Sequence, residues 1–131
     1  MSALTGQNKG FDRKLRLLDA AAYKRVFDGA EFKVSHSHLL ILARPNDCDH
    51  SRLGMVIAKK NVRLAVQRNR IKRLIRESFR HQQADLPGLD IVILARKGIG
   101  EQENPNILDL LTRQWRKLLQ RSQQNRPLRS P

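Results

Sequence analysis

The chain has 131 residues, which is enough for one domain and too few for two domains of ordinary size. It carries 26 lysines and arginines against 12 acidic residues, so its formal net charge is +14. Hydrophobic residues make up 40% of the chain, which allows a packed core and argues against full disorder. Because such an excess of positive charge repels itself, we expect a polyanion as partner.

The composition also excludes several classes of protein. The single cysteine, Cys48, can form neither an internal disulfide nor a cysteine metal cluster, so we expect a reducing compartment and a cytoplasmic protein. No apolar run approaches the roughly 20 residues of a membrane-spanning helix, and residues 1–10 lack the hydrophobic segment of a signal peptide. We therefore expect no membrane partner.

The pattern along the chain predicts one continuous domain over residues 12–121. A flexible N-terminus is expected at residues 1–11, which are mostly polar. A flexible basic tail is expected at residues 122–131, which are rich in arginine, glutamine and proline.

The first half of this domain predicts one short helix followed by strands. Asp19 is a suitable N-cap for a helix over residues 20–28. The apolar runs at residues 38–43 and 53–58 predict two strands, and a shorter strand is expected near residues 31–35.

The second half begins with the longest helical segment, Leu64 to Gln82, which no glycine or proline interrupts. Residues 90–95 are apolar without alternation, as in a strand that is covered on both faces. Asn104 and Pro105 suit the N-cap and the first position of a last helix. This order of helices and strands predicts an α/β sandwich.

The segment from Lys59 to His81 is strongly basic, and its only acid is Glu77. On a helical wheel one side is apolar and docks on the sheet, whereas the other side presents cations to solvent. The apolar side comprises Leu64, Ile71, Leu74, Ile75, Ser78 and Phe79. The nine basic residues are Lys59, Lys60, Arg63, Arg68, Arg70, Lys72, Arg73, Arg76 and Arg80.

This density of cations indicates a phosphate-bearing partner. Like charges four residues apart, such as Arg68, Lys72 and Arg76, destabilise a helix by about 0.2–0.5 kcal/mol per pair, and a partner would compensate that repulsion. The alternative is an ordinary solvated face, which so many cations beside one acid disfavour. Because the sequence shows neither a helix-turn-helix nor a dimer surface, we expect RNA rather than DNA.

The Lys-Lys turn and the basic helix resemble a known family. Ala-Lys-Lys-Asn at residues 58–61, followed by Arg-Asn-Arg at residues 68–70 and the rest of the helix, is similar to the protein subunit of bacterial ribonuclease P. Further matching pieces occur in the same order at residues 16–18, 23–27, 53–58 and 90–97. The resemblance covers about residues 12–120.

The resemblance implies the protein component of a ribonucleoprotein that removes the 5′ leader of precursor tRNA, an RNA-based endoribonuclease. The catalytic RNA and its bound Mg²⁺ would perform the hydrolysis, and the protein would bind this RNA and grip the leader. It also implies an α+β fold, a two-layer α/β sandwich whose small, mostly antiparallel sheet contains a parallel βαβ crossover. The family's crossover is left-handed, against the usual preference.

The resemblance also implies two sets of contact residues. The catalytic RNA would contact Arg68, Asn69, Arg70, Lys72, Arg73 and Arg76, and Lys59, Lys60 and Asn61 would add phosphate contacts. The leader would lie in a cleft between the first helix and the sheet, at Tyr23, Phe27, Ile41, Arg96 and Lys97. Aromatic rings stack on bases with little sequence demand, and core packing is the alternative for Tyr23 and Phe27. Ile41 would offer only apolar contact.

The residues themselves predict no catalytic group and no metal ligands in the protein. Neither paired carboxylates nor a Ser-His-Asp arrangement occurs at useful spacing, and His36 and His38 would need further ligands to hold zinc. The alternative function is a non-catalytic RNA-binding or ribosomal-type protein of similar charge.

Overall fold

The structure is a computed structural model that describes residues 13–17, 19–86 and 88–129. Its strands are β1 (Phe32–Ser35), β2 (Leu39–Pro45), β3 (Arg52–Val56) and β4 (Leu89–Ala95), and its helices are α1 (Ala20–Gly29), α2 (Ala65–Gln82) and α3 (Asn104–Arg129). Short 3-10 turns lie at Arg13–Leu15 and Ile99–Glu101. The predicted flexible N-terminus at residues 1–11 lies outside the described residues.

The four strands form one sheet in the order β1-β2-β4-β3. β2 pairs with β1 and β4 in antiparallel register, whereas β3 and β4 are parallel, so α2 is the crossover between them. The prediction of an α+β sandwich with one parallel crossover in a mostly antiparallel sheet is confirmed, and the short strand expected near residues 31–35 is β1. The left-handed sense of the crossover stays a prediction.

The larger part of the core lies between one face of the sheet and the helices α2 and α3. Trp115 on α3 is fully buried against Phe79 on α2, with 5.9 Å between their ring centroids. The indole Nε1–H donates to Ser78 Oγ at 2.7 Å, so the buried indole keeps a hydrogen-bond partner. This contact fixes α2 against α3.

The helix α1 covers the opposite face of the sheet and adds a partial third layer. Its Ala22 and Val26 pack with Leu17 and with Val92 of β4. Asp19 caps the helix as predicted, since its Oδ1 accepts from the Ala22 backbone N–H at 2.9 Å. The prediction that β4 is covered on both faces is confirmed.

One expectation about α3 is wrong: the backbone carbonyl of Glu103 accepts from the Ile107 N–H at 3.1 Å, so Glu103 and not Asn104 occupies the cap position. The basic tail expected from residue 122 is helical to Arg129, and Ser122 is buried. The flexibility of this tail stays a prediction. Glutamine and arginine favour helices, so the polar composition there did not mark a helix end. Over the part of the chain described, no helix has the length and apolarity to cross a membrane.

An ion pair between half-buried Arg52 and buried Asp90 joins the two parallel strands. Arg52 donates from Nε and Nη2 to the carboxylate oxygens of Asp90 at 2.8 and 2.7 Å, and Asn46 Nδ2 donates to the same carboxylate at 2.9 Å. The hydrogen bond to Asp90 raises the pKa of Arg52. Because Arg52 and Asp90 are register partners, this network holds the β3–β4 pairing that places α2.

We predict that Asp90→Ala lowers the free energy of unfolding by about 3 kcal/mol, because it leaves the Arg52 guanidinium unpaired beside the core. Urea denaturation followed by circular dichroism measures this change. The matched control is Asp28→Ala, which removes a carboxylate whose ion pair with Lys24 is exposed. Equal denaturation midpoints for the two variants would contradict the structural role of Asp90.

Candidate nucleic-acid interface

The helix α2 is anchored by a continuous apolar stripe. Ile71, Leu74, Ile75 and Phe79 are buried at the spacing of one helical face, as the wheel predicted. Leu64, which the wheel placed on the same face, precedes the helix and is 60% exposed. The remaining faces of α2 carry the basic residues, so the docking of the stripe turns them outward.

Six residues of α2 predicted to contact RNA have no partner among the described carboxylates: Arg68, Asn69, Arg70, Lys72, Arg73 and Arg76. Partial burial, and then the positive charges of Arg16 and Arg73, lower the pKa of Arg76. These cations therefore repel each other in the free protein. A phosphate beside them would remove that electrostatic cost.

The side chains of Arg68 and Arg70 are turned toward the protein's own oxygen atoms. Arg68 Nη1 donates to the carbonyls of Val62 and Arg63 at 3.0 and 2.8 Å. Arg70 reaches three groups: Gln67 Oε1 at 2.8 Å, Asn104 Oδ1 at 2.5 Å and the Gly100 carbonyl at 2.9 Å. All these acceptors are neutral, so both guanidinium groups keep an unbalanced charge while they brace the start of α2.

The Lys-Lys turn combines exposed cations with one structural amide. Lys59 and Lys60 are exposed. Asn61 Nδ2 donates to the Ala95 carbonyl at 3.0 Å, and its backbone N–H donates to the Ala58 carbonyl at 3.0 Å. Asn61 thus ties the turn to the end of β4, since one of its amide N–H groups bonds inside the protein.

A cleft of about 600 Å³ opens between this turn, the start of α2 and the 3-10 turn after β4. Lys60 and Arg63 line one side and Lys97 lines the other, with Glu101 as an acidic neighbour. The first turn of α2 has no side-chain cap, so its backbone N–H groups add partial positive charge here. The structure therefore brings Lys97, expected at the leader, next to Lys60, expected at the catalytic RNA.

Comparison with known proteins decides the family. The family model described as Ribonuclease P matches residues 11–119. The chain belongs to the ribonuclease P protein family. It is 56% identical over 120 residues to the ribonuclease P protein component of Pseudomonas aeruginosa, which covers 92% of this chain and 86% of the relative. It is 55% identical over 111 residues to that of Pseudomonas putida, covering 85% and 83%.

Solved structures of the family share the fold. A Staphylococcus aureus RNase P protein, described as a mutant with defective mRNA degradation activity, has a TM-score of 0.76 at 25% identity, covering 93% of this chain and 98% of that chain. The Thermotoga maritima RNase P protein in complex with 1-(4-fluorophenyl)-2-thiourea has a TM-score of 0.68 at 31% identity, covering 77% and 98%.

The ribonuclease P family cleft expected beside the first helix corresponds to the sheet face under α1. Tyr23 is half-buried there, its ring lies against Gly54, and its OH accepts from the Met55 N–H at 3.2 Å. Phe27, one turn later, is 44% exposed. Phe27 therefore offers an accessible ring. Tyr23 also packs inside the protein, which was the alternative to leader contact predicted for it.

The assignment of Ile41 to this cleft is wrong. Ile41 is fully buried and pairs with Ile93 in the core under α2 and α3, on the opposite face from α1. Successive side chains of a strand alternate between faces, so an error of one residue moves a side chain across the sheet. Its neighbours Leu40 and Leu42 lie on the α1 face and are half-buried.

Four half-buried apolar residues of the sheet extend this α1 face, and the sequence did not predict them there. They are Leu40, Leu42, Val56 and Leu94. The α1 side chains pack on Leu42 and Leu94, so the alternation of β2 and β4 was the signal that could have identified them. At one end of this face Arg96 Nη1 donates to Ser35 Oγ at 3.1 Å and to the His36 carbonyl at 2.8 Å.

Tyr23 and Arg96 lie apart along this face. Tyr23 contacts Gly54, which pairs with Val92, and Arg96 follows four residues later along β4. The four residues from Val92 to Arg96 span about 13 Å at the rise of a strand. The predicted leader residues thus form an extended strip rather than one pocket.

We predict that Arg70→Ala lowers the free energy of unfolding by about 1.5–3 kcal/mol, because it removes hydrogen bonds that link α2 to the 3-10 turn and to α3. Arg73→Ala is the matched control, since Arg73 is exposed and has no described acidic partner. Urea titration of both variants measures the difference. A loss of stability in Arg73→Ala as large as in Arg70→Ala would show that the bracing assigned to Arg70 is wrong.

Proposed function

We propose that the chain serves as the protein component of a ribonuclease P ribonucleoprotein, which removes the 5′ leader of precursor tRNA in the cytoplasm. The observation that carries the proposal is the α2 row, which consists of the outward-facing Lys72, Arg73 and Arg76. These three side chains lack acidic partners in the described chain. Family membership supports the same conclusion, since the curated relatives are ribonuclease P protein components.

In this proposal the α2 row binds the backbone of the catalytic RNA. Arginine forms paired hydrogen bonds with phosphate oxygens, and each neutralised phosphate releases counterions. Arg68 and Arg70 hold the start of α2 in place, and their remaining N–H groups can add phosphate contacts at its edge. Lys59 and Lys60 extend the same positive surface along the preceding turn.

The leader lies along the α1 face in this proposal. The exposed ring of Phe27 stacks on a base, and the half-buried apolar residues of the sheet exclude water beside the strand. Arg96 at the far end of the face binds a phosphate, and Lys97 continues the positive charge into the cleft beside Lys60. Stacking and phosphate contacts require no particular leader sequence.

The hydrolysis itself belongs to the RNA and its Mg²⁺ in this proposal. Among the residues described, no three histidine, cysteine or carboxylate groups come together as a metal-ligand set. The protein contributes binding of the catalytic RNA and positioning of the leader.

Reconstitution tests the proposal. At a low Mg²⁺ concentration that barely supports the RNA alone, adding the purified protein to the cognate catalytic RNA should restore cleavage of precursor tRNA at the mature 5′ end. Protein without RNA should give no cleavage. Absence of stimulation at every protein ratio would contradict the proposal and favour a non-catalytic RNA-binding protein.

Two charge-matched variants sharpen this assay. Lys72→Ala/Arg73→Ala should need more protein for half-maximal stimulation, and the difference from wild type should shrink as salt rises, because two phosphate contacts and their counterion release are lost. Arg25→Ala/Arg116→Ala removes two exposed cations from α1 and α3 and should behave like the wild type. Equal losses in both variants would mean that only net charge matters.

We predict that Phe27→Ala raises KM for a precursor with a long leader by about tenfold, which corresponds to one lost stacking contact. The same variant should leave KM unchanged for a substrate with a one-nucleotide leader. Steady-state cleavage by the reconstituted particle measures both values. Equal changes for the two substrates, or failure of the variant to assemble with the catalytic RNA, would contradict the leader contact.

A further inference from the structure

A second row of cations lies on α3, on the side that faces the edge strand β1. Arg113, Lys117 and Arg121 follow one another at intervals of four residues. The Arg121 guanidinium donates to the Lys33 carbonyl of β1, which occupies an edge that would otherwise be open to another chain. Trp115, which bonds to α2, points to the other side of α3.

The turn between β1 and β2 lies beside this row. The Arg96 guanidinium is bonded to this turn, since it donates to the His36 carbonyl at 2.8 Å. The His38 backbone N–H donates to His36 Nδ1 at 3.0 Å, so Nδ1 is an acceptor and the neutral ring carries its proton on Nε2. The imidazole can thus donate from Nε2 to an incoming oxygen atom.

The electrostatic environment of His36 is strongly positive. Burial first, and then the charges of His38, Arg113, Lys117 and Arg96, lower the pKa of His36. Within the described part of the chain, Asp109 pairs with this row, since its carboxylate lies 3.2 Å from Arg113 Nη2 in an exposed pair. An exposed pair of this kind is weak, so most of the positive charge stays unbalanced.

We propose that this β1-edge surface, formed by His36, Arg113, Lys117 and Arg121, binds the phosphate backbone of a second RNA segment. Two guanidinium groups, one ammonium and a neutral imidazole N–H are all donors, and phosphate oxygens accept from each of them. The proposal rests on the proposed function only in choosing RNA as the polyanion.

This surface and the α2 row lie at opposite edges of the sheet. Arg76 on α2 is close to Arg16, which forms a bridge to Leu53 of β3, and β3 is the edge opposite to β1. Three interstrand spacings separate the edges, or about 14 Å. One protein can therefore hold two RNA segments, one at each edge.

Fluorescence anisotropy with a labelled 24-nucleotide single-stranded RNA tests the surface in the full-length protein. Arg113→Gln/Lys117→Gln should bind more weakly, and the slope of log Kd against log salt concentration should fall by about 1.4, or 0.7 for each lost phosphate contact. Arg25→Gln/Arg116→Gln is the charge-matched control and should keep the wild-type slope. Equal slopes for the two double variants would overturn the proposal.

A local measurement on His36 separates binding at this surface from binding elsewhere. NMR titration of histidine-labelled protein should show the pKa of His36 rising when the RNA binds, because phosphate offsets the surrounding cations. His36→Asn identifies the signal and keeps an acceptor for the His38 N–H. An unchanged His36 pKa at saturating RNA would overturn the proposal, as would equal displacement of the RNA by polyglutamate of the same total charge.

The reconstitution assay reports separately on the proposed function. If wild-type protein stimulates cleavage while Arg113→Gln/Lys117→Gln binds RNA with an unchanged slope, the second surface is wrong and the proposed function stands. If the slope falls as expected but no stimulation of cleavage occurs, the proposed function is wrong and the surface stands.

Discussion

Unbalanced positive charge on a helix that is fixed by its apolar side is the constraint on which this molecule depends. The stripe that includes Ile71, Ile75 and Phe79 is buried, so α2 cannot rotate to spread its cations. Lys72, Arg73 and Arg76 stay on the outside without carboxylate partners in the described chain. The apolar contacts thus offset a repulsion between cations that a bound phosphate would relieve, and the proposed RNA partner would supply that phosphate.

The same helix shows that cationic side chains have two roles. Arg70 links α2 to Gly100 and Asn104, and Arg68 closes the loop before the helix, all through neutral oxygen atoms. Such contacts position the helix without cancelling its charge, so structural arginines still add to the field that RNA meets. The ion pair of half-buried Arg52 with buried Asp90 differs, because there the charges cancel and only the β3–β4 pairing benefits.

The sequence predicted the order of the elements, the amphipathic α2 and the family, because hydrophobic period and an unusual basic motif are local signals. It did not predict the face of Ile41, since that depends on strand register, nor the inward bonds of Arg68 and Arg70, since their acceptors come from the fold. Asn61 was expected at a phosphate, and the sequence did not predict that its amide also bonds to Ala95, which follows 34 residues later. Contacts between distant segments produce no periodic pattern in the sequence, so only the structure identifies them.

The most direct test of the central claim is to map which cations the catalytic RNA covers. Lysine- and arginine-specific reagents, with mass spectrometry, measure the modification rate at each side chain in the free protein and in the complex. The account predicts that the RNA strongly slows modification of Lys72 and Arg73 and leaves Arg25 and Arg116 unchanged. Equal modification rates at Lys72 and Arg73 with and without bound RNA would contradict it.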